Sequence, residues 1–448
     1  MTMKFYDREK EVELLRKAKR AAIIGRRRVG KTRLVEEALN PITLFIPAEK
    51  NEALICRDWL EEIRERRYIP EIGTMKGIVE FLMREGETVF IDELQNALKV
   101  NPSFVYDLQR LLDKHREAKL VVTGSLISMS KKLIEDYNSP LYGRFDIVVK
   151  LRELDFQTVL EIMKDLGYGV EDAVKMWAVF GGLPKYYETL ERFSMPVEDF
   201  IRTMFFEEPY PMFPEVMLML KEELGKEYRT YFSILQAISE GKHTLGEISS
   251  HLSVKETSLT KYLHALEKDY ELIVKKKDAF GRGRNRYYIS QNLVHFWFRF
   301  LWRNYGKIER GALRWNDNEF NSYIGRKVEE LIEALADLFV PFEIESRGKL
   351  WGKFKDKEKG KESFEIDVVA VGRGEAAFFE VKWEELNRKE AERELEWLGE
   401  RIKATGYRGK AFPILVARKV KGKKGLEGVY DLWDLEEVLK EKSRKTLP

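Results

Sequence analysis

The sequence predicts an α/β multidomain chain. A parallel sheet bearing a phosphate-binding loop is followed by a helical lid, a unit of three helices and a hairpin, and a second α/β domain. Three observations predict this. A short apolar strand runs into Gly25–Thr32 and then into an amphipathic helix. A second apolar strand, Thr88–Ile91, ends in the carboxylates Asp92 and Glu93. Far downstream, two further strands carry Asp367 and the pair Glu380 and Lys382. At 448 residues the chain exceeds what one hydrophobic core covers, so roughly two to four domains are expected. The pattern changes place them at residues 1–150, 151–222, 226–302 and 318–448.

Composition narrows the class. Charged residues make up 35% of the chain, yet 79 Lys and Arg against 76 Asp and Glu leave a net charge of only +3. Such a surface resembles the ion-pair networks of thermophile proteins. Any basic, nucleic-acid-facing patch must therefore be local. Cys56 is the only cysteine, which excludes disulfides within the chain and cysteine-based metal sites. No apolar run approaches the ~18–20 residues of a bilayer span. The most apolar stretch, Val294–Trp302, is too short and carries Arg299. The first residues lack the apolar core of a secretory signal. A cytoplasmic location with no membrane partner is expected.

The first element to justify is the loop Gly25-Arg26-Arg27-Arg28-Val29-Gly30-Lys31-Thr32, which fits G-x-x-x-x-G-K-[ST]. Its glycines let successive N–H groups, from Gly25 to Arg33, turn toward the phosphates of ATP at a helix N-terminus. Lys31 would reach the β- and γ-phosphates, and the Thr32 hydroxyl would bind Mg²⁺. Upstream, Phe5–Leu15 reads as a turn and helix beside the nucleotide base. Asp92 would hold the Mg²⁺ shell, and Glu93 would orient the attacking water. Leu120–Ser125 is a buried strand whose Ser125, or else Thr123, would sense the γ-phosphate. Arg144, just before the strand ending at Val149, would reach a γ-phosphate on its own or an adjacent subunit of a homo-oligomer; the alternative is a surface arginine. After Leu151 the pattern is helical, broken at Phe180–Pro184 by a Gly-Gly-Leu-Pro turn that would bring backbone toward the nucleotide, with a simple helix–helix corner as the competing reading.

These motifs in this order (strand–GxxxxGKT, VFIDELQ, LVVTGS, GRF before a strand, GGLP) resemble the archaeal ATPase family of the AAA+ and signal-transduction ATPase (STAND) group over residues 1–220. The resemblance implies an ASCE-type parallel sheet with a helical lid and ATP hydrolysis. It also implies that Gly182 and Pro184 contact nucleotide in place of a sensor-two arginine. Lys185, not an arginine, stands beside that turn.

Tyr228–Glu240, Thr244–Leu252 and Lys255–Asp269 read as three helices, and Leu272–Lys276 and Tyr287–Ile289 as a hairpin around the basic turn GRGRNR. This is the winged-helix plan. Leu259, Leu263 and Leu266 would face inward, and Ser258, Thr260, Lys261 and His264 outward. The third helix, with Lys261, would enter a DNA groove while Arg282, Arg284 and Arg286 meet phosphates. A protein–protein hinge is the competing use.

From Tyr323 a helix carries Glu329, a strand begins at Pro341–Glu345, and a Lys/Gly/Glu-rich loop follows. Phe364–Val371 and Ala377–Trp383 are strands. Period-two geometry puts Glu380 and Lys382 on one face, and an antiparallel neighbour brings Asp367 beside them. Asp367 and Glu380 would bind Mg²⁺, Glu329 would complete the shell, and Lys382 would act on the attacking water. The pattern E…EIDVVAV…FFEVKW resembles the PD-(D/E)xK nuclease superfamily, implying a restriction-endonuclease-like fold. Arg418–Lys424 reads as a basic loop, solvated or contacting phosphate, and Asp434–Lys442 as a closing helix. The expected function is an ATP-hydrolysing, DNA-binding protein coupled to a Mg²⁺-dependent nuclease-like domain. The alternative is a nucleotide-switched DNA-binding regulator or scaffold that does not cleave.

Overall fold

The computed structural model describes residues 3–356 and 360–446. Five strands form the first sheet: β1 (Arg20–Ile24), β2 (Ile42–Phe45), β3 (Val89–Asp92), β4 (Leu120–Gly124) and β5 (Ile147–Lys150). They lie in the order β2-β3-β4-β1-β5, all parallel. β4 thus separates the strand that feeds the phosphate loop from the strand that ends in Asp92. Both faces of the sheet are covered, so the inner strands read as continuous apolar runs rather than alternating ones. Ala22 and Ile24 face helices Glu52–Arg64, Met75–Arg84 and Ser103–Lys114. Ala21 and Ile23 face Leu34 and Val35 of helix Lys31–Leu39 and the lid.

The lid comprises helices Phe156–Asp165, Val170–Phe180, Pro184–Phe193, Val197–Phe205 and Met212–Leu224. Helices Tyr228–Ser239, Leu245–Leu252 and Glu256–Lys268 follow, then the antiparallel pair β6 (Ile273–Lys276) and β7 (Arg286–Ile289). Thr244 and Glu247 form a reciprocal capping box that starts the second of these helices. The apolar stretch around Val294–Trp302 becomes helix Asn292–Phe300 at the centre of the molecule. Phe296 packs on Phe205 of the lid and Tyr323 of the C-terminal part, while Phe298 packs on Phe232 of the three-helix unit.

Helix Asp317–Ala334 leads into the second sheet: β8 (Ser346–Asp356), β9 (Gly360–Val371), β10 (Glu375–Asn387), β11 (Lys410–Lys421) and β12 (Val429–Asp431). Its order is β12-β11-β10-β9-β8, with β8, β9 and β10 antiparallel and β10, β11 and β12 parallel. Helix Arg388–Ala404 makes the β10-to-β11 crossover, and Leu432–Thr446 closes the chain.

Two expectations are corrected here. The strand expected at Pro341–Glu345 starts at Ser346, and the Lys/Gly/Glu-rich segment belongs to the long strands β8 and β9, with residues 357–359 outside the described residues. The basic loop expected at Arg418–Lys424 is mostly strand: β11 runs to Lys421. Three of its cations are paired: Lys423 with Asp431 at 2.7 Å and Asp434 at 2.6 Å, Arg418 with Glu171 at 3.4 Å, and Lys421 with Glu385. Among the described residues no helix is long and apolar enough to cross a membrane.

Candidate functional site

The carboxyl ends of β1 and β3 bring the two N-terminal motifs together. Gly25 must be glycine because a Cβ there would lie 2.7 Å from the Leu151 carbonyl oxygen. Gly30 caps helix Lys31–Leu39 at φ +92°, a backbone conformation that L side chains rarely adopt. Lys31 is buried, donating from Nζ to the carbonyls of Gly25 at 2.8 Å and Arg26 at 2.9 Å. Burial lowers its pKa, with Glu93 and then Asp92 opposing. Thr32 Oγ1 donates to Asp92 Oδ2 at 2.8 Å, so the hydroxyl and carboxylate expected around Mg²⁺ already touch. Mg²⁺ takes one or two protein oxygens and keeps several waters, and this donor pair fits it.

Glu93 is held in the left-handed region (φ 60°, ψ 43°), which is uncommon for a non-glycine residue and marks stored strain. Its Oε2 accepts from Ser125 Oγ and from Gln95 Nε2, both at 2.5 Å. Ser125, expected to sense the γ-phosphate, donates to Glu93. Thr123, the alternative, donates to Asp92. Gln95 escaped the sequence reading because a glutamine after two carboxylates reads as surface.

A cleft of about 440 Å³ opens beside the loop, lined by Met3, Phe5, Tyr6, Gly30, Thr32 and Pro184 among others. The Phe5–Leu15 segment and Pro184 thus border it. Gly182 does not. It donates to Glu153 Oε2 at 3.2 Å and accepts from Leu154 N at 2.9 Å, and a Cβ would sit 1.8 Å from the Leu154 carbonyl oxygen. Its glycine is required by packing, which corrects its expected nucleotide contact.

The side chains of the loop arginines are held by other partners. Arg27 pairs with Glu222 at 2.7 Å, and Arg28 with Glu215 at 2.8 Å. Arg33 pairs with Glu188 at 2.8 Å. Arg26 points away from the cleft: Nη2 donates to the carbonyls of Tyr270, at 3.1 Å, and Glu271. The Gln291 amide, its oxygen toward the guanidinium, accepts from Nη1 and Nε at 3.0 and 2.7 Å. The charge of Arg26 also opposes the effect of burial on two carboxyls, Glu153 and Glu223, whose pKa values burial raises, that of Glu223 to about 7. Its backbone therefore belongs to the phosphate loop and its side chain to the three-helix unit.

Arg144 lies at the opposite end of the sheet. β5 starts level with Ala21, at the amino end of β1, whereas the loop follows Ile24. Arg144 pairs with Asp113 at 3.2 Å, so the expectation that it reaches its own subunit's γ-phosphate is overturned.

On the three-helix unit, Leu259, Leu263 and Leu266 are buried while Ser258, Thr260, Lys261 and His264 are exposed. Lys261 lies over the Tyr262 ring. Arg282 and Arg284 are exposed. Arg286 is half-buried, its guanidinium 4.1 Å from the centroid of Trp351 on β8. The hairpin turn docks there too, Ala279 N donating to the Lys349 carbonyl at 3.0 Å and Ser346 Oγ to the Ala279 carbonyl at 2.7 Å.

In the second sheet the β9–β10 ladder ends at Phe379 and Val368, and just beyond it Val381 N donates to Asp367 Oδ2 at 2.9 Å. Asp367 thus stands beside Glu380, and its pKa is pushed up to about 7 by burial, then by the charges of Glu329 and Glu380. Glu380, 4% exposed, takes Lys382 on Oε1 at 2.9 Å and Arg401 on Oε2 at 2.6 Å. Glu329 stands close enough for its charge to act on Asp367, and it is paired with Lys349. Among the described residues no three His, Cys, Asp or Glu side chains form a ready-made metal cage. Asp367 and Glu380 alone fit a Mg²⁺ ion that keeps its waters.

Residues 73–190 match the model of an ATPase domain predominantly from Archaea, and residues 297–394 match a family of archaeal and bacterial proteins of unknown function. An uncharacterized protein of Methanocaldococcus jannaschii is 29% identical over 459 residues, covering 97% of this chain and 99% of that one. The fold is similar to a Walker-type ATPase of Pyrococcus abyssi (TM-score 0.52, 20% identity), covering 66% of this chain and 96% of that one. The first sheet with its phosphate loop and acidic pair has the fold of a P-loop ATPase domain, and residues 73–190 of it are similar to the archaeal ATPase domain. A separate C-terminal sheet domain follows it in the same chain.

Proposed function

We propose that the chain binds and hydrolyses ATP in the cleft beside Gly25–Thr32, binds DNA through residues 226–302 as a winged helix, and couples both to a PD-(D/E)xK-like domain over residues 318–448. The observation that carries the reading is the 2.8 Å bond between Thr32 and Asp92, which joins the two motifs at one point with Lys31 and Glu93 on either side. Residues 1–150 are then the ATPase core and 151–222 its lid.

In this reading the loop N–H groups bind the triphosphate, and Lys31 exchanges the Gly25 and Arg26 carbonyls for phosphate oxygens. Glu93, fixed by Ser125 and Gln95, orients water toward the γ-phosphate. Mg²⁺, held by Thr32 and Asp92, supplies charge neutralisation of the phosphates. Lys261, Arg282 and Arg284 meet DNA phosphates. At the C-terminal site Asp367 and Glu380 hold a divalent cation and Lys382 acts on water, so that phosphodiester hydrolysis follows. Arg144, at the far end of the sheet, is available only to a neighbouring subunit of a homo-oligomer.

A second reading is a nucleotide-switched DNA-binding regulator that does not cleave. The ion pairs that occupy both oxygens of Glu380 favour it. Incubating plasmid and single-stranded DNA with Mg²⁺ or Mn²⁺, with and without ATP, separates the two. Cleavage by the wild type that is lost in Asp367→Ala supports the nuclease. No cleavage of either DNA, with DNA binding retained, supports the regulator. Lys31→Ala in the same assay reports whether ATP gates the outcome.

A further inference from the structure

We infer that Arg401 is a positioning residue of the C-terminal site that competes with a divalent cation for Glu380. The inference rests on the metal-site reading of Asp367 and Glu380 and names the residue that regulates its filling. Glu380 sits on β10 between Phe379 and Val381, both buried, and cannot turn to solvent. Asp367 is likewise fixed by Val381 N. The cations around them are not equivalent. Lys382 has a second carboxylate to move onto, Glu394, at 3.5 Å. Arg401, in the last turn of helix Arg388–Ala404, has no other side-chain partner among the described residues, and 30% of its side chain is exposed.

The 2.6 Å contact is a charge-assisted hydrogen bond in a water-poor site, where such bonds are strong. Lys382 and Arg401 together take both oxygens of Glu380, so a divalent cation shared with Asp367 competes with the guanidinium for this carboxylate. Arg401 therefore sets the metal concentration at which the site fills. Once displaced, it presents a planar fork of donors suited to a phosphate. The sequence gives no hint of this, because an arginine in the charged helix RKEAERELEWLGERIKA reads as wet surface.

The test is Mn²⁺ binding by the nucleotide-free full chain, read as loss of the free-ion electron paramagnetic resonance signal. Asp367→Asn identifies which Mn²⁺ belongs to this site. Arg401→Gln should bind that Mn²⁺ roughly ten-fold more tightly, the value of one hydrogen bond to a charged group. Arg401→Met should do the same and carries the test if the glutamine variant does not fold. Arg401→Lys, which keeps the charge, should stay near the wild type. Unchanged or weaker binding in both neutral variants, with the Mn²⁺ still lost in Asp367→Asn, overturns the role of Arg401 and leaves the metal site standing. No difference between the wild type and Asp367→Asn removes the metal site and the inference with it.

Discussion

Glu93 concentrates the chemistry proposed for the N-terminal site. Its left-handed backbone and two short side-chain bonds fix one carboxylate at the end of β3. Losing a positioned general base costs about 10²–10⁴ in rate, so Glu93→Gln should lower ATP turnover on that order while ATP still binds. Ser125→Ala removes one bond to a charged group, worth ~1.5–3 kcal/mol, and its turnover should fall roughly 10- to 100-fold in steady-state assays. A fall as deep as that of Glu93→Gln would instead mean that Ser125 touches the substrate. Lys31, Thr32, Asp92 and Glu93 were legible because their signal is local: each lies within a few residues of its glycine or strand end. Arg26 was not, since its partners Tyr270 and Glu271 stand more than two hundred residues away. Nothing near position 26 distinguishes a side chain facing phosphate from one facing another domain.

At the scale of elements, the lid is set by backbone packed on backbone. A methyl at Gly182 would overlap the Leu154 carbonyl, so Gly182→Ala must shift helix Pro184–Phe193 and its Pro184. Overpacking of this kind costs about 1–3 kcal/mol or more, and a lowered melting temperature with weakened ATP binding is expected. The lid also carries Glu223, which caps helix Ile127–Ile134 by accepting from the Ile127 and Ser128 amides, both at 3.3 Å. Its carboxyl is pushed up to about 7 by burial, chiefly opposed by Arg26, against an ordinary value of 4.5. The folded state therefore holds an extra proton between these values. That contribution is complete below pH 4.5 and is lost as pH rises through 7. Glu223→Gln should flatten this part of the curve, so melting temperatures at pH 5 and pH 8 should lie closer together than in the wild type. The short β2 and β12 were not legible as strands, whereas β1, β3, β4, β5, β9 and β10 were legible as apolar runs. The extent of β8, β9 and β11 was not, because their outer ends are charged and gain order only from neighbouring strands.

Across the whole molecule, one continuous core joins the phosphate loop, lid, three-helix unit and C-terminal sheet. The segment Val294–Trp302 was legible only as too short for a membrane. Its aromatic residues instead form the junction at which the parts meet, a role set by tertiary packing rather than by local pattern. Arg26 is the polar counterpart of that junction. Arg26→Ala removes its bonds to the Tyr270 and Glu271 carbonyls and to the Gln291 amide, together with the charge that opposes the raised pKa values of Glu153 and Glu223, and should lower the denaturant midpoint. An unchanged midpoint would show that these contacts add nothing to stability. The central claim remains that the N-terminal cleft turns over ATP through residues of both motifs. Its most direct test is the rate of phosphate release from Mg-ATP, measured with ATP binding, for the wild type, Lys31→Ala and Glu93→Gln. The account predicts turnover by the wild type, loss of binding and turnover in Lys31→Ala, and binding without turnover in Glu93→Gln. Equal turnover by all three proteins would contradict it.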